Sequence, residues 1–190
     1  MRKNFLIKRR SHPWRDFAFG LVGGLAGTVA MDYYWKGVVK ITGADPRKMT
    51  ADETPQVLDD ISIGKKKFRE GENATSVIGR EAYTAIKGEE PPQKTKKSLG
   101  NLIHLIYGTV QGGIYSIYKN KTGLSEIPAS LTYGTGLWAI GSELGVPMLG
   151  LAKGPTAFPV QHHVYSMVAH WVYGSTVGCV EKTLNWIIER

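Results

Sequence analysis

The chain has 190 residues, a formal charge of +8 and a single cysteine, Cys179, against 23 glycines. That length fits one or two compact units, and a lone cysteine excludes an internal disulfide framework and a cysteine-rich metal site. Nor does the positive charge indicate nucleic acid. Six of the 24 basic residues (Arg2, Lys3, Lys8, Arg9, Arg10 and Arg15) precede the first acid, Asp16, and lead straight into an apolar stretch. A cytoplasmic, lipid-facing flank has that form.

Charge crowds into 1–16 and 40–98, whereas 17–31, 99–118, 127–152 and 161–180 carry almost none, and most of the glycine lies in these apolar stretches. Each such glycine would cost a soluble helix about 1 kcal/mol relative to alanine, but in a membrane small residues let helices approach closely. The pattern predicts an all-α, polytopic membrane helical bundle of about four transmembrane helices, with a polar insert between the first and second. After the basic flank, 1–15, the first span is expected at 16–39. Its glycines Gly20, Gly24 and Gly27 share one helical face, with Gly23 beside them, for packing on another helix of this chain or of a second copy. Asp32 and Lys36 stand four apart and can pair, and "DYYWK" suits the headgroup level. A basic start followed by "FAFGLVGGLAGTVA" also fits the front of a signal peptide, and "RRSHPW" holds twin arginines. Three further apolar stretches favour an uncleaved first span.

The insert, 40–98, contains 12 basic and 10 acidic residues. "TADETPQVLDDISI" and "NATSVIGREAYTAIKG" each read as a short amphipathic helix opened by a capping residue, and "EEPPQKTKK" breaks any helix before the next span. "NAT" matches a glycosylation sequon, a short and weak pattern. With no phosphate-binding loop, metal-ligand cluster or nucleophile motif, the insert is expected to dock or cap. Residues 99–190 then hold three spans, at 99–118, 127–152 and 161–180, the last able to run on through "EKTLNWII". Short loops make consecutive spans antiparallel neighbours. Four spans with the basic N-terminus inside put both termini in the cytoplasm, and the insert and Lys153 outside, although Lys94, Lys96 and Lys97 abut the second span on that outer side.

Two stretches nearly repeat: "HLIYGTVQG" at 104–112 and "HWVYGSTVG" at 170–178. On the second span His104, Gly108 and Gly112 fall on one stripe with Tyr107, Gln111 and Tyr115. On the fourth, His163, Ser166, His170, Tyr173, Gly174 and Gly178 make another. With the two helices parallel, His104 lies at a depth between His163 and His170. Intramembrane histidines can hydrogen-bond to neighbouring helices, exchange protons, or serve as axial ligands of a haem or other tetrapyrrole, and nothing in the spacing selects a metal. Glu143 sits about 180–200° around the third span from Gly134, Gly141 and Gly145, so that helix should be covered on both sides. Pro147 is placed to open the helix and free a carbonyl nearby.

The order of features, with "HLIYGTVQGGIYSIY", "YGTGLWAIGSELGVPMLGL" and "FPVQHHVYSMVAHWVYG", resembles the YagU-like bacterial inner-membrane proteins. Its most specific parts are Trp138, Pro147 and Gly150, and the "AHWVYG" motif with His170, Trp171, Tyr173 and Gly174. The resemblance implies an integral membrane protein of about four spans, with a link to acid tolerance in one member and no established reaction to carry over. This insert is longer and more charged than the family's. The expectation is a non-enzymatic component of a bacterial cytoplasmic membrane, a homo-oligomer or a subunit of a larger membrane complex. Protons or a small solute would move through an interior of His104, His163, His170, Tyr107, Tyr173 and Glu143. The alternatives are a haem- or pigment-binding redox subunit, a purely structural subunit, and a soluble helical protein.

Overall fold

The computed structural model describes residues 12–51 and 58–190. The basic residues before Pro13, and the middle of the first proposed insert helix, lie outside them. The described residues form five helices of eleven residues or more and no strand. The first, α1 (Pro13–Thr42), starts with proline in its first turn, where the missing N–H costs nothing, and stops at Gly43 in the left-handed region. The insert supplies α2 (Ala74–Lys87), which Asn73 caps by accepting from the Ser76 N–H at 2.8 Å. The "NAT" stretch is thus a helix cap. Residues 58–63, in the other proposed insert helix, are not helical.

Next, α3 (Gln93–Thr122) begins directly after Pro91-Pro92, so "QKTKK" lies inside the helix and not in a break before it. Proline just ahead of a helix, here Pro92 as the N-cap, leaves the following residues free to continue as helix. After Gly123, α4 (Glu126–Gly136) runs without interruption into a π-helical stretch, Leu137–Gly145, and a final turn, Val146–Met148. The last helix, α5 (Val160–Ile188), includes the expected run-on through "EKTLNWII". Among the described residues, no helix is both long and apolar enough to cross a membrane by its hydropathy. The reason is visible in each sequence, because glycine, serine, threonine, tyrosine and histidine interrupt every apolar stretch.

Packing follows the glycines. A Cβ on Gly24 would lie 2.7 Å from the Thr109 carbonyl oxygen, and one on Gly112 would lie 2.5 Å from the Gly24 Cα, so α1 and α3 meet backbone to backbone. Gly23 and Gly27 instead face Val177 and Tyr173 of α5. The glycine face of α1 is therefore two faces, one for each neighbour, and both neighbours belong to the same chain. The pairings Gly20–Gly112 and Gly24–Gly108, with Gly23–Val177 and Tyr34–Tyr165, make α1 antiparallel to both, so α3 and α5 run parallel. In turn α4 lies antiparallel on α5, with Gly134 against the His170 carbonyl and Ser130 against Gly174. Helices α3 and α4 touch through tyrosines: Tyr133 donates to the Gln111 carbonyl at 2.8 Å, and Tyr118 and Thr132 share a 2.8 Å hydrogen bond.

The insert covers the end where α4 turns into α5. The Lys67 N–H donates to the Gly150 carbonyl at 2.8 Å, the Gly154 N–H to Asp59 at 2.7 Å and the Ile63 N–H to Met148 at 2.9 Å. Helix α2 is bolted to α3 by charge. Glu72, 4% exposed, accepts from Arg80 at 3.1 Å and pairs with Lys96. Burial would raise the Glu72 carboxyl, but the Arg80 and Lys96 bonds and the Arg69 N–H prevail and bring it down to about 2.

Candidate functional site

The parallel register of α3 and α5 sets the site. Gly108 accepts the 2.6 Å hydrogen bond of the buried Tyr173 hydroxyl, which fixes the two "HxxYG" stretches at the same depth. His104 and His170 therefore face the same space. It is a cavity of about 360 Å3, enclosed by α1, α3, the π-helical part of α4, and α5, with the start of α2 at its mouth. Tyr107, Gln111, Thr28 and Ser142 add hydroxyl and amide groups, and Met31, Trp35, Leu137 and Val146 supply apolar wall.

The π-helix shapes one wall. Its wider turn bonds the Val146 N–H to the Gly141 carbonyl five residues back, and a Cβ on Gly145 would stand 2.9 Å from the Ile140 carbonyl. This register presents Ser142 to His170 and Glu143 to His163. His170 Nδ1 faces the Ser166 carbonyl at 2.7 Å, an acceptor only, so Nδ1 carries the proton. Nε2 is then left to accept from the Ser142 hydroxyl at 3.2 Å. Both ring nitrogens are thus engaged, and an axial ligand to haem would first have to give up Ser142. His104 has more freedom, with Nδ1 3.8 Å from the half-exposed Asp32 carboxylate. That contact takes Asp32 away from Lys36, which instead lies over the Tyr33 ring at 4.8 Å.

Glu143 does not line the cavity. It pairs with His163 Nδ1 at 2.8 Å, 15% exposed, which explains how an acid is accommodated on a helix packed by glycine on its other side. Next to it the His162 ring stacks on Phe158 at 4.4 Å and bonds the Pro46 carbonyl at 3.0 Å, tying α5 to the insert. At the mouth Arg47 lies 5.0 Å over Trp35 and donates to both oxygens of Asp45 at 2.9 Å, which holds that carboxyl below its usual range. Asn73 and Thr75 at the start of α2, with Asn101, complete the rim.

Of the residues singled out in the sequence, His104, Tyr107, His170 and Tyr173 meet in the cavity, whereas His163 and Glu143 form a separate pair beside it. Gly20, Gly24, Gly27, Gly108, Gly112, Gly174 and Gly178 all lie at helix contacts. Sequence reasoning missed Ser142, Arg47 and Asn73. It also missed a buried group at the opposite end, where Glu181, 2% exposed, accepts from Ser116 at 2.8 Å and from Lys119 at 3.2 Å. Its signal was there: Glu181 lies three residues past Gly178 and seven past Gly174, on the same stripe. Among the described residues no three His, Cys, Asp or Glu side chains gather as metal ligands. Comparison with family models, with curated proteins and with solved structures finds no match.

Proposed function

We propose that this chain is a small multi-pass membrane protein that takes protons or a small polar solute into its interior from the insert side. The observation that carries the reading is the apolar exterior of the bundle. Its interior mixes Thr28, Ser116 and Ser130 with Met31, Trp35, Ala129, Ala169, Tyr173 and Val177, while Val22, Leu25 and Val29 on α1 and Leu102, Ile106, Val110, Ile114 and Ile117 on α3 face outward. Helices in water turn polar stripes outward, and apolar outer faces on several helices suit lipid better than one partner.

Cation–aromatic pairs mark both ends: Arg15 over Phe19 and Arg190 over Trp186 at one, Lys36 over Tyr33 and Arg47 over Trp35 at the other. Arg15 and Lys36 are twenty-one residues apart on one helix, ~31 Å at 1.5 Å per residue, which matches a hydrocarbon core of ~30 Å. Four long helices, α1, α3, α4 with its π-helical extension, and α5, would be the spans, with α2 outside them. The resemblance to the YagU-like inner-membrane proteins agrees with this reading, as does the basic flank, which favours a bacterial cytoplasmic membrane with both termini inside. No catalytic constellation accompanies the cavity, and an accessory or oligomeric role fits better than an enzymatic one.

Cys179 provides the test without mutagenesis, because it is the sole cysteine and its side chain is exposed on α5. A nitroxide attached there and reconstituted into liposomes should be relaxed more by oxygen than by a water-soluble nickel chelate. Stronger relaxation by nickel would place this face in water and end the membrane reading.

A further inference from the structure

We propose that the cavity takes a small organic ammonium ion, a protonated primary amine on a compact apolar body, with Asp32 as its counter-charge. This names the class of solute and rests on the reading above that the cavity receives one. Apart from the imidazoles of His104 and His170, the lining residues with an ionisable acid or base of full charge are Asp32 and Arg47. The two are in different conditions. Arg47 donates to both oxygens of Asp45 at 2.9 Å and lies over the Trp35 ring, so its charge is already matched. Among the described residues, no donor comes within hydrogen-bond distance of the Asp32 carboxylate. His104 Nδ1 stops 3.8 Å away, and Lys36, one turn further along α1, lies over Tyr33. His170 adds no charge, since its one proton sits on Nδ1 and its Nε2 accepts from Ser142.

Asp32 therefore carries an unmatched negative charge at the edge of the cavity. On the membrane reading it stands one turn inside Lys36, where the surroundings are less polar than water and a carboxylate attracts a cation more strongly. An ammonium nitrogen set in the gap beside it donates to the Asp32 oxygen and to His104 Nδ1, whose lone pair is free when the ring carries its proton on Nε2. Asn101 and Tyr107 border the same space, and neither side chain has a hydrogen-bond partner among the described residues, so the wall offers further acceptors for the remaining N–H groups. Beyond them Met31, Trp35, Leu137 and Val146 present apolar surface. A volume of about 360 Å3 is at the small end for ligand pockets (~300–1,000 Å3), which limits that apolar body to a compact one. An anion would find Arg47 committed to Asp45 and would share the space with Asp32. A hard divalent ion, which takes about six or more oxygen ligands, would find a single carboxylate.

The experiment is isothermal titration calorimetry of the full chain in detergent. The probes are benzylamine and n-butylamine, both cationic near neutral pH, with benzyl alcohol and benzoate as the uncharged and oppositely charged counterparts. The amines are expected to bind saturably at one site per chain, at least tenfold more tightly than the alcohol, and benzoate is expected not to bind. Asp32→Asn should weaken amine binding at least tenfold and Asp32→Glu should retain part of it. Both variants should keep the wild-type unfolding midpoint, because the Asp32 side chain is 51% exposed and accepts no hydrogen bond in the chain. Unaltered amine binding in Asp32→Asn, benzoate or benzyl alcohol bound as tightly as the amines, or no saturable binding of either amine overturns the assignment. Asp32-dependent binding in detergent, without uptake of radiolabelled benzylamine by proteoliposomes, upholds the site and overturns the uptake reading instead.

Discussion

Replacing Gly112 by alanine tests whether the bundle is held by backbone contact. The added methyl would overlap the Gly20 carbonyl oxygen and lie 2.5 Å from the Gly24 Cα. Ordinary carbon contact is 3.5–4.0 Å, so α1 and α3 must part by about 1 Å, and neither obstacle can rotate aside because both are backbone. Overpacking costs about 1–3 kcal/mol, and a rigid obstacle puts this site at the upper end. Against it stands the helix-propensity gain of Gly→Ala, about 1 kcal/mol. The net expectation is a loss of about 2 kcal/mol, or roughly a thirtyfold shift towards unfolding. Gly37→Ala is the control, because a Cβ there meets nothing within 4 Å, and it should gain the propensity term alone, about 1 kcal/mol. Denaturant titration of the detergent-solubilised protein, followed by helical circular dichroism, separates the two. Midpoints that move in the same direction for both variants would refute the argument.

Three further outcomes follow from other parts of the molecule. Glu72 falls from 4.5 in the unfolded chain to about 2 in the fold, so the stability it contributes is complete above about 4.5 and is lost as pH falls towards 2. The upper limit is ~3 kcal/mol, and Glu72→Gln should flatten the acid limb of α2 unfolding monitored by limited proteolysis. Asn73→Ala removes the cap of α2 and should cost about 1 kcal/mol in the same assay, with faster cleavage in the insert. An absorbance spectrum of the purified protein should lack a Soret band, because His170 spends both nitrogens on Ser142 and Ser166 and so does not pair with His104 as a second ligand; a reducible band would mean that His170 gives up Ser142 or that the freer His104 binds haem without it.

The helices were legible because each kind of signal was local. Proline at 13 and the glycines at 43, 88 and 123 mark helix ends by backbone geometry, and Asn73 does so through its side chain, whereas Pro92 marks the start of α3 six residues before the expected one. The glycine stripes told that close contacts exist but not between which helices, since partner choice depends on the whole set of faces at once. Gly20 and Gly24 were grouped with Gly27, although a rotation of one residue's angle sends them to different neighbours. The cavity was half legible. His104 and His170 drew attention through their repeated neighbours, whereas Ser142 reaches its place only through a π-helical register that no simple periodicity reveals. Arg47 and Asn73 come from a segment distant in sequence, and only the folding of the insert over the bundle brings them to the rim.

The central place of α1 also bears on how the protein is made. One of its faces is completed by α3, whose Gly112 appears some ninety residues after Gly20, and the other by α5, whose Val177 follows Gly23 by 154 residues. At ~5–20 residues per second, the second face stays bare for about 8–30 s of synthesis. Throughout that interval the ribosome-bound chain presents an unfilled glycine groove to whatever helices surround it. A truncation anywhere before α5 would make that transient state permanent, so the last helix acts as the step that closes the molecule to the wrong neighbours.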